Sequence, residues 1–235
     1  MKKVLLLAMA FVASTYAEAQ IVSSSSTTIE VVETKPAPKP KKKTQWYLRG
    51  GLNVMNFTRG GKYTEDNTAR AGYDLSIGFQ KNMGSKGLFW GMDLGLGSRG
   101  WKYTEGDYKM DLIAHNIRWS MFDFGYKYRF KNNISMYAHA NVYWSVDYAG
   151  RFKESYTGSS WDDEDGDSEN TVDIFDNDYM DHNPVDLGMS IGVGMWWKRL
   201  NIDLTYQIGM LDATFSSDFN AGKTTNLMIR VGVGF

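Results

Sequence analysis

Three histidines, His115, His139 and His182, are the side chains of this sequence suited to proton transfer near neutral pH. No cysteine accompanies them, so thiolate nucleophiles, thiolate metal sites and disulfides are excluded. Hydrolytic chemistry would need a His gathered with Asp and Ser, or an Asp/His pair, at one rim of the fold. His182 follows Asp178 and Asp181 closely enough to pair with either, but no serine stands in a nucleophile context. A polar histidine at a loop base suits this better than a catalytic one, so the expectation is no enzyme and no catalytic residue. Gly95-Leu-Gly-Ser-Arg-Gly100 matches the dinucleotide pattern G-x-G-x-x-G, but no helix pattern follows it. Inward glycines that make room for neighbouring Tyr, Trp and Arg are the better reading.

The segment 162–181 carries ten acids and no Lys or Arg. Asp162, Asp163, Glu164, Asp165, Asp167 and Glu169 form its densest part. The alternation around Gly166 resembles oxygen-ligand spacing for Ca²⁺, yet the EF-hand glutamate and flanking helices are missing, so no metal site is assigned. Loose binding of divalent cations that bridge lipid phosphates, docking of a basic partner, and a plain solvated loop all remain open.

A third group of charges is scattered: Arg49, Asp74, Asp93, Lys127, Arg129, Asp147, Asp186, Asp203 and Arg230. What gathers them is an alternation of period two. The last strand, Asn226–Phe235, puts Leu227, Ile229, Val231, Val233 and Phe235 on one face and Asn226, Met228, Arg230, Gly232 and Gly234 on the other. Seven earlier segments do the same, starting near Trp46, Ala71, Leu88, Ile113, Ile134, Val185 and Leu200. In the fourth, the outward phase passes from Ile117, Trp119 and Met121 to Phe122, Phe124, Tyr126, Tyr128 and Phe130. That slip predicts a β-bulge near 121–122. Short connections fall at 81–87, 131–133 and 198–199. Long ones are expected at about 59–69, 98–112, 150–182 and 212–223.

Eight strands with alternating short and long connections predict an all-β, eight-stranded antiparallel up-and-down transmembrane barrel over 46–235. Its short turns would face the periplasm and its long loops the outside. A soluble β-sandwich would expose a charged face, whereas one face here is uniformly apolar and the other rich in Gly, Ser and Asn. Trp46, Trp101, Tyr128, Phe130, Trp197 and Phe235 are expected in interfacial girdles. Residues 1–19 read as a secretory signal with Ala17-Glu18-Ala19 at the cleavage site. Residues 20–45, with Ser23–Ser26, Pro36, Pro38, Pro40 and Lys41–Lys43, read as a disordered periplasmic tail. The formal net charge of −1 gives no reason to expect nucleic acid as a partner.

The segments Asp186-Leu-Gly-Met-Ser-Ile-Gly-Val-Gly194, Tyr206-Gln-Ile-Gly-Met-Leu-Asp212, Asn226–Phe235 and Tyr126-Lys-Tyr-Arg-Phe130 resemble outer-membrane β-barrel proteins of Bacteroidota. These are the porin-family or PorT-like barrels, similar in architecture to outer membrane protein X. The resemblance spans about 46–235. It implies an outer-membrane location, no established enzymatic activity and no cofactor.

An eight-stranded barrel is only wide enough for side chains to fill it. The nine scattered charges therefore predict a salt-bridged plug, with a narrow path for water or protons as the alternative. The expected role is structural or interactive: an envelope component, or an accessory subunit of a secretion or assembly complex. Expected partners are outer-membrane lipid and lipopolysaccharide, the insertion machinery through Phe235, and a protein held by 150–182 or by the tail.

Overall fold

The computed structural model describes residues 44–57, 67–84, 86–130, 133–156, 168–175, 182–216 and 219–235. The strands are β1 (Thr44–Phe57), β2 (Asn67–Asn82), β3 (Leu88–Glu105), β4 (Tyr108–Arg129), β5 (Ile134–Tyr156), β6 (Ser168–Asp173), β7 (Val185–Trp197), β8 (Leu200–Ser216) and β9 (Phe219–Gly234). All pairings are antiparallel. The order β4-β3-β2-β1-β9-β8-β7-β5 closes on itself through β4 and β5, making a ring of eight strands. The signal segment 1–19 lies outside the described residues. So does the tail 20–45, except for Thr44 and Gln45, which open β1.

Alternation decides which way each side chain points. Leu48, Leu75, Ile77, Leu94, Ile191, Leu204, Ile229 and Val231 all lie on the exposed outer surface, and their sequence neighbours are buried inside. An apolar band around the outside with polar groups within is the reverse of a water-soluble domain. Trp46, Tyr128, Phe130, Trp197 and Phe235 are exposed near the short-turn end, as a girdle requires. Trp101 is not among them. It is 1% exposed and points inward, because the inward phase of β3 runs on through Arg99, Trp101 and Tyr103.

The supposed long connections 98–112 and 212–223 are largely strand, the second because β8 runs to Ser216 and β9 begins at Phe219. β3 and β4 pair from Leu88↔Tyr126 up to Glu105↔Tyr108, leaving only Gly106 and Asp107 to turn, with Gly106 at φ 56. Positive φ at the turn suits the twist of a tight hairpin. The region 150–182 also contains more strand than expected. β5 runs to Tyr156, and β6 pairs with its upper edge from Arg151↔Asp173 to Tyr156↔Ser168, continuing the wall above β7. β4 has 22 residues and β5 has 23, about twice the length needed to cross a bilayer as a tilted strand. The long-loop end therefore rises well beyond the apolar band.

The predicted bulge is present. Met121 pairs with Val142 and Phe124 with Ala140, so two residues of β4 face one of β5. The register against β3 shifts at the same place, and Phe122 sits at φ 52. A second bulge separates His115↔Ala149 from Asn116↔Asp147. It turns Phe152 inward against the upper core.

Candidate functional site: the filled lumen

The interior is layered. At the short-turn end Tyr47, Phe89, Tyr137 and Trp196 form a buried aromatic layer. Lys127 Nζ lies against it, donating to Gln80 Oε1 at 2.9 Å and standing 5.3 Å from the Phe89 ring centre and 5.6 Å from that of Trp196. Cation–π attraction compensates in part for the water this ammonium has lost. Several inward glycines exist because of these large side chains. A Cβ on Gly125 would come within 2.3 Å of the Phe89 ring, and one on Gly194 within 2.3 Å of the Tyr137 ring.

Above the aromatics lies a connected ion-pair network drawn from seven strands. Arg230 donates to Asp203 at 2.5 and 3.1 Å, and its other terminal nitrogen stands 3.6 Å from Asp74 and 3.7 Å from Asp93. Arg118 binds Asp74 through both terminal nitrogens. Arg49 donates to Asn201 at 2.6 Å and lies 3.9 Å from Asp203, whose other neighbours include Tyr137 at 2.7 Å. His139 places Nδ1 2.7 Å from Asp123 and Nε2 3.3 Å from Asp203. Only an imidazolium donates from both ring nitrogens. Arg49, Arg118, Arg230 and a charged His139 then balance Asp74, Asp93, Asp123 and Asp203. Buried charges need such pairing, since an isolated one costs several kcal/mol.

A second ionic layer sits towards the long-loop end. Arg99 clasps Asp147 at 2.6 and 2.8 Å and reaches Asp186 at 3.3 Å. Tyr143 and Thr224 also donate to Asp186, and His182 Nε2 lies 2.8 Å from Asp147. Between the two ionic layers is a cavity of about 20 Å³ lined by Asn53, Asn116, Ser145, Gln207 and Asn226 among others. That holds about one water. Met55, Trp101, Tyr103, Met110, Leu112, Ala114 and Ile174 form an apolar cluster at the long-loop end.

Of the nine expected lumen charges, Arg49, Asp74, Asp93, Asp203 and Arg230 share the main network. Asp147 and Asp186 belong to the upper layer, and Lys127 to the aromatic one. Arg129 does not join. It is exposed on the short-turn rim, because the lumen ends at Lys127 and the next inward position on β4 is already outside it. Arg118, Asp123 and His139 are not among the nine but carry the network, and Arg99 carries the upper layer. Arg118 and Asp123 were marked by the flanking outward pairs Ile117/Trp119 and Phe122/Phe124. Arg99 is hidden in the sequence because the polar stretch 98–112 reads as a loop. His182 pairs with Asp147; Asp178 and Asp181 lie outside the described residues. So do Asp162, Asp163, Glu164, Asp165 and Asp167, whereas Glu169 is exposed on β6 with Lys153 Nζ at 2.7 Å. His115 faces outward, 3.1 Å from the Tyr73 hydroxyl. The Gly95–Gly100 pattern lies within β3, with no following helix. A Cβ on Gly95 would meet Arg118 at 2.8 Å, in keeping with glycines that make room.

A family model described as outer membrane protein beta-barrel domain matches residues 19–214. The chain belongs to that family. It is an outer-membrane β-barrel protein. Among solved structures, the chain is similar to Ail, the attachment invasion locus protein of Yersinia pestis, in complex with the heparin analogue sucrose octasulfate. The identity is 15% and the TM-score 0.41, covering 82% of this chain and 99% of that one. Neisserial surface protein A is similar at 14% identity and TM-score 0.38, covering 82% and 97%. The N-terminal barrel domain of Pseudomonas aeruginosa OprF is similar at 12% identity and TM-score 0.31, covering 83% and 98%. No curated protein matches the chain.

Proposed function

We propose that this outer-membrane barrel is neither a solute channel nor an enzyme, and that it works through its surfaces. It would serve as an envelope component or as an accessory subunit of a secretion or assembly complex. The observation that carries the reading is the filling of the lumen: an aromatic layer, two ionic layers and an apolar cluster follow one another along the axis. The cavity between the ionic layers holds about a single water and is lined by Arg118 from one layer and by Arg99 and Asp186 from the other. A rim enzyme finds no support in His182, since Asp147, its partner, is already clasped by Arg99.

Residues 1–19 act in this reading as a cleaved export signal, residues 20–45 as a periplasmic tail, and Phe235 as the signal to the insertion machinery. The PorT-like, Bacteroidota assignment rests on the strand motifs alone.

Single-channel recording in planar bilayers tests the proposal. The folded protein should stay silent under conditions where a general porin conducts. Discrete conductance that changes in Arg49→Ala or Asp186→Ala would establish the channel instead. Affinity purification from outer membranes in mild detergent then asks for the partner: a stoichiometric protein makes this a complex subunit, and a clean monomer a stand-alone envelope barrel.

A further inference from the structure

The two ends of the barrel differ in charge, and the difference has a pattern. At the periplasmic end Lys81 lies on the outer face of β2, Lys86 and Lys198–Arg199 occupy turns, and Arg129 stands on the rim. Lys86, Arg129, Lys198 and Arg199 are exposed and Lys81 is half-buried. No Asp or Glu occurs in 79–91, 124–136 or 194–202, the three stretches that make up this end with the terminal strands. At the opposite end outward cations are interleaved with acids: Lys102 lies 3.9 Å from Asp111, and Lys153 is paired with Glu169.

The periplasmic cations are placed where a membrane surface would meet them. Trp46, Phe79 and Trp90 stack along the outside of β1, β2 and β3, with ring centres 5.2 Å apart at each step. Lys81 is the next outward residue after Phe79, in register with Trp90 and Thr44. Tyr128 and Phe130, 4.8 Å apart, flank Arg129 on β4, and Trp197 precedes Lys198. Apolar band, aromatic row and cation thus follow one another towards the periplasm. That is the order of acyl chain, glycerol region and phosphate in a lipid leaflet.

We propose that this cationic rim binds the phosphodiester headgroups of anionic phospholipids in the periplasmic leaflet. The aromatics would hold the glycerol and upper acyl region while Lys81, Lys86, Arg129, Lys198 and Arg199 contact the phosphates. The inference rests on the periplasmic placement of the short turns and is independent of whether the lumen conducts. A purely aqueous acidic partner would need the cations but not the aromatic row at the same height, so the membrane surface is the occupant that the whole arrangement fits.

The test uses the full-length barrel refolded into vesicles that contain brominated phosphatidylglycerol or brominated phosphatidylcholine. Trp46, Trp90 and Trp197 stand on the girdle and report lipid contact by quenching. Gel migration of unheated samples verifies folding in every preparation, so a failure of the barrel itself is seen separately. The wild type should prefer phosphatidylglycerol by about fivefold at low salt, and the preference should shrink as salt is raised. The variant K81Q/K86Q/R129Q/K198Q/R199Q should bring the ratio to about one, and the turn variant K198Q/R199Q should lower it partway. The outer-wall control K102Q/K153Q should leave it unchanged. No preference in the wild type, or the same preference in the five-site variant, overturns the proposal. If the wild type shows no lipid preference but binds purified cell-wall sacculi, and the five-site variant loses that binding, the rim belongs to cell-wall carboxylates instead.

Discussion

Arg230 reaches Asp203, Asp74 and Asp93 from a single side chain, so it holds three buried carboxylates. Arg230→Met should destabilise the barrel by about 3–5 kcal/mol, because it leaves buried charge uncompensated. Urea titration in lipid vesicles, followed by tryptophan fluorescence, measures this. Gly192 has a steric role: a Cβ there would lie 2.3 Å from His139 Nε2 and 2.8 Å from Thr205 Oγ1. Gly192→Ala should cost about 1–3 kcal/mol in the same titration, and an unchanged midpoint would mean that His139 can retreat. Most members of the network were legible one at a time, since alternation alone puts Asp74, Asp93, Asp203 and Arg230 inside. Their partition was not. Sequence parity says that a side chain points inward but not at what height, so Asp147 and Asp186 could not be separated from the main network. Arg129 obeys the same parity and still lies beyond the end of the lumen.

At the scale of the element, β4 shows how one residue redirects a strand. Above the bulge the inward positions are even-numbered, including Asn116, Arg118 and Ser120; below it Asp123 and Lys127 point inward. If β4 ran straight with all its residues and no bulge, its lower half would turn over. Inserting an alanine between Asp123 and Phe124 should therefore direct Lys127 at lipid and Phe124, Tyr126 and Tyr128 into the lumen, and the protein should fail to reach its folded gel position. Inserting a glycine between Gly106 and Asp107 should be tolerated, because that turn lies outside the layered interior. Equal folding yields for the two variants would show that the register of β4 is not held by its inward charges. This bulge was readable because its outward residues are large on both sides of the slip. The height of the β3–β4 hairpin was not, since polar residues in 98–112 look alike whether a strand rises through water or a loop does. Trp101, Tyr103, Met110 and Leu112 alternate there, but Gly97, Ser98 and Gly100 before them read as a strand ending.

For the whole molecule, the seam between β1 and β9 is the decisive closure. It runs from Tyr47↔Gly234 to Phe57↔Thr224. Val54 and Leu227 are opposite one another on the outer face and are both exposed. The chain has no cysteine of its own, so Val54→Cys with Leu227→Cys should form one intramolecular disulfide on oxidation. Directly opposed strand residues lie about 4.5–5.5 Å apart between Cα atoms, within the range a disulfide spans. A non-reducing gel of the folded protein reports it, and a free dithiol after oxidation would argue against this register.

That seam also sets an order of events. Arg230 lies on β9, while two of the carboxylates it holds, Asp74 and Asp93, lie on β2 and β3. Until the final strand is in place, the early strands carry these acids with part of their compensation missing. A half-made sheet is therefore a poor guest for hydrocarbon, however apolar its outer face. The chain gains little by entering the bilayer strand by strand, so closure and insertion should occur together, late, and only after synthesis has finished.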